Sequence, residues 1–172
     1  LTDEHNMFGA VDFQLKAKKH AIKPIFGIEV RLVRDHARPQ ADEDGRIVLL
    51  AKNRSGYGNL RELISMGYLD GLHDGVPHID LPLLKRFGRD VIGLSGDRRS
   101  ALGRAVLAGR DQDALDWLEG TRDAIDDFYL EIIPDGTAEQ TRLNAAFRKL
   151  GQSANVQLVA ANNAYYLDKK DA

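Results

Sequence analysis

The sequence predicts an α/β protein, a mainly parallel sheet with helices outside it, and three observations carry that prediction. Phe26, Ile28, Val30 and Leu32 alternate with Gly27, Glu29 and Arg31, the period of a strand with one apolar face. Residues 47–51 and 91–94 are short continuous apolar runs, the pattern of strands buried on both faces. Between these runs, apolar residues recur at helical spacing, so strand and helix alternate along the chain. An open doubly wound sheet and a closed β/α barrel both satisfy that order.

Leu1-Thr2-Asp3 looks like the tail of a strand and is followed by a polar turn. Phe8, Val11 and Leu15 then recur at helical spacing to about His20, with Lys16, Lys18 and Lys19 in the last turn, where cations suit the helix dipole. Lys23-Pro24 closes the connection to the first period-two strand. A polar loop with Pro39 and the acidic run Asp42-Glu43-Asp44 leads to the strand over 47–51. Residues 53–69 are loop and then helix, with Leu60, Leu63, Ile64 and Tyr68 on one face. Residues 71–82, rich in Gly, Pro and His, are expected to be irregular, and 83–87 to form one helical turn. The strand over 91–94 ends in Ser95-Gly96-Asp97, and Ser100 starts a short helix. A longer helix covers 112–126 with Ala114, Leu118, Thr121 and Ile125 in one stripe. A strand over 128–133, a helix over 137–150 and a last strand over 156–161, ending in Asn162-Asn163, complete the order. Trp117 and Phe147 sit in apolar stripes and are expected in the core.

Composition excludes several classes. With 43% hydrophobic and 29% charged residues, 172 residues are enough for one domain with a core, and no linker or repeat divides them. A net charge of -2 gives no global basic field for nucleic acid. There is no cysteine, which excludes a disulfide framework or thiolate zinc site and suits a cytoplasmic protein. No apolar run approaches the roughly 20 residues of a membrane span, and no signal peptide is visible. The chain opens in mid-strand and residues 167–172 resemble a helix start, so it reads as an excerpt of a longer polypeptide.

Nucleotide loops of the Gly-x-Gly-x-x-Gly or Walker type are absent, and Ser95 has no Gly-x-Ser-x-Gly elbow around it. Asp3, Glu4, His5, Glu29, Asp97 and Asn162-Asn163 lie at strand ends that a parallel sheet brings to one mouth. Carboxylates and imidazole there are ligands for divalent metals that activate water for phosphoester hydrolysis. His5 is the only histidine near a strand end, since His20, His36, His73 and His78 lie at a helix end or in loops, so a polar, solvated mouth is the favoured alternative. The lysines at 16, 18, 19 and 23 lack interleaved aromatics for stacking bases and read as a solvated helix end.

Six segments in order resemble one family. Residues 1–10, LTDEHNMFGA, are similar to the "LTDHGNMFGA" motif of the PHP (polymerase and histidinol phosphatase) domain found in the α subunit of bacterial DNA polymerase III, a C-family replicative polymerase. IKPIFGIEV at 22–30 is similar to "IKPIIGCEV", and residues 48–60 to "LLLAKN…GYxNL". Residues 91–96, 128–131 and 159–162 are similar to "GLIALSG", "FYLEL" and "VATND". The resemblance implies a distorted β/α barrel of about seven strands, with 1–172 forming a PHP domain that lacks its first strand and His-x-His motif.

It also implies where a metal would sit. Asp3 and Glu29 match family ligands; the next family His is Glu4 here, and His5 stands where the family has Gly. The His before the "LLLAKN" segment is Arg46, the Cys or His after Ser-Gly is Asp97, and the closing Asp-x-His is Asn163-Ala164-Tyr165. Arg46 brings a permanent cation where an imidazole should offer a lone pair, so the expectation is a degenerate pocket without zinc or manganese. In it, Arg46 would pair with Asp3, Glu29 or Asp97. The implied parent is a DNA-directed DNA polymerase whose magnesium site, primer–template DNA and sliding clamp are engaged outside this segment. The segment itself would be non-catalytic, bracing the polymerase and docking the proofreading exonuclease. The alternatives are an active metal-dependent phosphoesterase or 3′→5′ exonuclease, and a free-standing barrel without a polymerase.

Overall fold

The structure is a computed structural model, and it describes residues 1–39 and 45–162. Among these, eight strands and six helices alternate. Strands β1 (Thr2–Glu4), β2 (Gly27–Val33) and β3 (Gly45–Ala51) come first, with helix α1 (Ala10–Lys19) between β1 and β2. Helix α2 (Arg54–Asp70), a hairpin of β4 (Leu72–His73) and β5 (Val76–Asp80), helix α3 (Leu81–Phe87) and strand β6 (Val91–Leu94) follow. Helices α4 (Ala101–Leu107) and α5 (Asp111–Ala124), β7 (Asp127–Ile132), α6 (Ala138–Ala154) and β8 (Leu158–Ala160) complete the chain.

The strands form one sheet in the order β4-β5-β2-β3-β6-β7-β8, with β1 also paired to β2, and the sheet is not closed among the described residues. β1 pairs along the first half of β2 and β5 along the second, both parallel. β3 runs antiparallel to β2 and β6, an inversion inside an otherwise parallel arrangement, while β6, β7 and β8 are mutually parallel. This mixed, open sheet is consistent with the barrel expected from the resemblance. The expected irregular stretch over 71–82 is corrected: Asp74 and Gly75, both with positive φ, form a two-residue hairpin turn between β4 and β5.

Side-chain alternation divides the sheet into two faces. Ile28, Val30 and Leu32 of β2 and Ile47 and Leu49 of β3 are buried against the helices, with Leu60 and Leu63 of α2 and Leu118 of α5. Trp117 and Phe147 are in this core, as expected. The other face of β2 and β3 carries Glu29, Arg31, Arg46 and Val48, all half-buried. Helix starts are fixed by side-chain caps: Asn53 accepts the amides of Ser55 and Gly56, Asp80 that of Leu83 and Ser100 that of Gly103. Four apolar residues depart from the expected burial. Tyr68 is exposed at the end of α2, and the Phe8–Val11–Leu15 stripe faces outward.

Candidate functional site

The polar face of the sheet lines a cavity of about 960 Å³ whose walls include Asp3, Glu4, Asn6, Glu29, Glu131 and Asn162. Strand register decides which groups meet there. Glu4 is level with Glu29 across the parallel β1–β2 pair, so the two carboxylates share a face. Arg31 is level with Arg46 across β2–β3, which puts Arg46 two residues along from Glu29's partner Val48 and on the same face. The Arg46 guanidinium therefore reaches both acids: its Nη1 donates to Glu4 and to Glu29. The Arg46 side chain is 17% exposed and that of Glu29 14%, so this ion pair is shielded from water. Asp3 is level with Ile28 and alternates to the other side, its Oδ2 3.1 Å from where a Cβ on Gly9 would lie.

His5 follows with φ 60°, and its amide donates to the Glu29 carbonyl at 2.8 Å, extending the β1–β2 pairing by one bond. Its Nδ1 is buried without a hydrogen-bond partner among the described residues. Burial holds the imidazole below its ordinary pKa; the Glu4 carboxylate opposes this, and the positive charges of Arg31 and Arg46 add to it. Asp97 is buried at the end of β6 but takes a different cation: its carboxylate accepts the Arg99 amide at 2.8 Å and Arg99 Nε at 3.0 Å. Of the partners expected for Arg46, Glu29 is met, while Glu4 takes the place of Asp3 and Asp97 because of register and of Arg99. Asn163 and Tyr165 lie outside the described residues.

One functional-site carboxylate was not singled out from the sequence. Glu131 on β7 is 4% exposed, and its Oε2 accepts the Gly96 amide at 2.7 Å. Ser95 Oγ in turn accepts the Glu131 amide at 2.9 Å, so the end of β6 and the middle of β7 are latched reciprocally. Gly96 adopts φ +76° to make this turn, a conformation that suits glycine. Burial pushes the Glu131 carboxyl up to about 7, against the Gly96 bond and with the charges of Asp97 and Glu29 adding to the rise. The signal in the sequence is an acid inside an otherwise apolar strand, Phe128 to Ile133.

Metal fit follows from the donor set. A divalent ion needs carboxylate or imidazole lone pairs converging on one point. Here lone pairs of Glu4 and Glu29 are directed at a guanidinium, and those of Asp97 at Arg99 and its amide. A cation at this position would face the fixed charge of Arg46, so these residues do not fit the family's metal centre. Among the described residues, three potential ligands converge only at Asp35, His36 and Asp80. There Asp80 caps α3 with one oxygen and meets His36 Nδ1 at 2.6 Å with the other, anchoring the loop after β2.

The PHP domain family matches residues 1–134. The chain belongs to this family. Over 178 residues the chain is 35% identical to the DNA polymerase III subunit alpha of Borreliella burgdorferi, covering all of this chain and 15% of that protein. It is 35% identical over 181 residues to that of Deinococcus radiodurans, and 33% over 183 residues to that of Thermus aquaticus, again over the whole chain. The chain thus spans about 15% of the length of the relatives it matches. Among its described residues no helix is long and apolar enough to cross a membrane.

Proposed function

We propose that the chain is the PHP domain of a bacterial DNA polymerase III α subunit and that its mouth serves structure rather than hydrolysis. The observation that supports this reading is the Arg46 guanidinium bridging Glu4 and Glu29, where a hydrolytic PHP domain needs open carboxylates and neutral imidazole. A guanidinium neutralises the clustered acids and fixes β1, β2 and β3 to one another without activating water. In this role the domain braces the polymerase, a DNA-directed DNA polymerase in its parent chain, and docks the proofreading exonuclease. Magnesium, primer–template DNA and the sliding clamp are engaged by the rest of that chain, in the cytoplasm.

The test is metal analysis of the full-length protein, with nuclease assays on a 3′-labelled oligonucleotide after manganese or zinc loading. The expected result is no stoichiometric metal assigned to this domain and no hydrolysis that depends on Asp3. Bound metal lost in Asp3→Ala, together with loss of hydrolysis, would overturn the structural reading in favour of an active phosphoesterase. Co-migration of the α subunit with its exonuclease subunit on size exclusion tests the docking role separately.

A further inference from the structure

Helix α1 and its link to β2 expose apolar side chains that a solvated helix end does not require. Phe8 is 90% exposed, Val11 67%, Leu15 63%, Ile22 61% and Ile25 56%. Val11 and Leu15 are four residues apart on α1 and share one face, and Phe8 lies in the turn that leads into the helix. Scattered exposed apolar residues are ordinary, but five on one helix and its two flanking segments mark a candidate interaction surface. Beside it lies a cavity of about 700 Å³, lined by Val11 and Ile25 and floored by Phe26, Tyr57 and Ile92. The floor is stiffened by edge-to-face contacts of Phe26 with Phe13 and with Tyr57, each with centroids 6.0 Å apart. This cavity is at the end of the strands opposite Arg46, since Lys52 follows the last residue of antiparallel β3 and Arg46 is near its first.

The surroundings are basic on a chain whose net charge is -2. Lys16, Lys18, Lys19 and Lys23 are exposed here, and Asp12, bonded to Lys16 at 2.7 Å, is the only acid on the helix. Lys23 and Arg54 stand at the cavity itself. An apolar floor with a cationic rim selects its occupant by charge as well as by shape. A second copy does not fit, because a two-fold axis would set lysine row against lysine row. A lipid surface does not fill a concave floor, and a nucleic-acid backbone leaves the aliphatic stripe without apolar contact. We propose that this face docks an acidic amphipathic helix of a protein partner. Its apolar side chains would seat against Val11, Leu15 and Ile25, and its carboxylates against Lys19 and Lys23.

The proposal does not depend on the reading of the Arg46 mouth. It is tested on the full-length polypeptide that carries this domain. The probe is a fluorescein-labelled 16-residue helical peptide with leucines on one face and glutamates on the other. A twin carries lysine for every glutamate, and fluorescence anisotropy reads both. The acidic peptide is expected to bind at least about tenfold tighter than its twin. Leu15→Ser should weaken it by about tenfold, and the Lys19→Glu, Lys23→Glu double variant should weaken it and strengthen the twin, without changing the thermal melt, since all three side chains are exposed. Equal affinity for the two peptides, or no response to Leu15→Ser, overturns the proposal. So does tighter binding to anionic vesicles or to a single-stranded 20-mer, dimerisation abolished by Leu15→Ser, or protection of the Leu15→Cys thiol from labelling in the polypeptide alone.

Discussion

Glu29 on β2 and Glu131 on β7 line the same cavity, and both are held away from water, yet they are stabilised by different means. Glu29 has a cation: Arg46 bridges it to Glu4. Glu131 has a backbone amide, from Gly96, and a carboxyl pKa pushed up to about 7, so near neutral pH a proton does for it what a guanidinium does for Glu29. The difference arises from position in the sheet. β1, β2 and β3 meet in a register that lets one long side chain reach two acids, whereas the turn after β6 meets Glu131 through the Gly96 amide and the Ser95 hydroxyl while its Arg99 pairs with Asp97. Neighbouring acids of one cavity can thus be neutralised side by side by an arginine and by protonation.

The largest effect expected from breaking this comparison is at Arg46. Arg46→Ala leaves the shielded Glu29 carboxylate without its cation, beside the more exposed Glu4, and should cost on the order of 2–4 kcal/mol of domain stability, measured by denaturant unfolding. Adding Glu29→Gln to that variant should recover part of the loss, because the unpaired charge is then gone. If Arg46→Ala melts like the parent, the guanidinium does not neutralise the pair. Arg46→Lys should recover less than full stability, since an ammonium on a flexible stem does not present a planar fork to two acids.

At Glu131 the sign of the pH dependence is the discriminating feature. Its folded pKa, about 7, is above the ordinary 4.5, so between those values the folded state holds a proton that the unfolded chain has released. Its contribution is therefore fully present below about pH 4.5, is lost as pH rises to about 7, and is flat above that. Glu131→Gln keeps an acceptor for the Gly96 amide and removes the charge. It should be near neutral at pH 4.5 and stabilising by up to about 3 kcal/mol at pH 8, read from hydrogen exchange across β6 and β7. A variant that behaves alike at both pH values would show that Glu131 ionises freely in the folded protein.

Much of this architecture was legible in the sequence, for reasons that also explain what was not. The period-two run over β2, the apolar run of β3 and the stripes of α5 and α6 carry their burial locally, and all four form as expected. Hairpin β4–β5 was read as irregular because its strands are short and its turn residues, Asp74 and Gly75, resemble loop composition. Arg46 stood out through the family resemblance, but its choice of Glu4 over Asp3 depends on the parallel register of β1 against β2, a long-range property. Glu131 went unnoticed because burial of one acid in a strand is decided by β6 and β8 on either side. Helical spacing likewise revealed the Phe8–Val11–Leu15 stripe without saying that it faces away from the core.

The smallest effect separates the two halves of the β6–β7 latch. Ser95→Ala removes the oxygen that accepts the Glu131 amide and leaves a buried N–H without a partner, a cost of about 1–2 kcal/mol. The Gly96 amide still reaches the Glu131 carboxyl in that variant, so the carboxyl's own titration should persist. The predicted signature is a loss that is the same at pH 5 and pH 8, with faster hydrogen exchange at the Glu131 amide. The Glu131→Gln change should instead appear only at the higher pH. If Ser95→Ala also flattens the pH dependence, then the hydroxyl sets the burial that raises the Glu131 pKa, and latch and proton are one device rather than two.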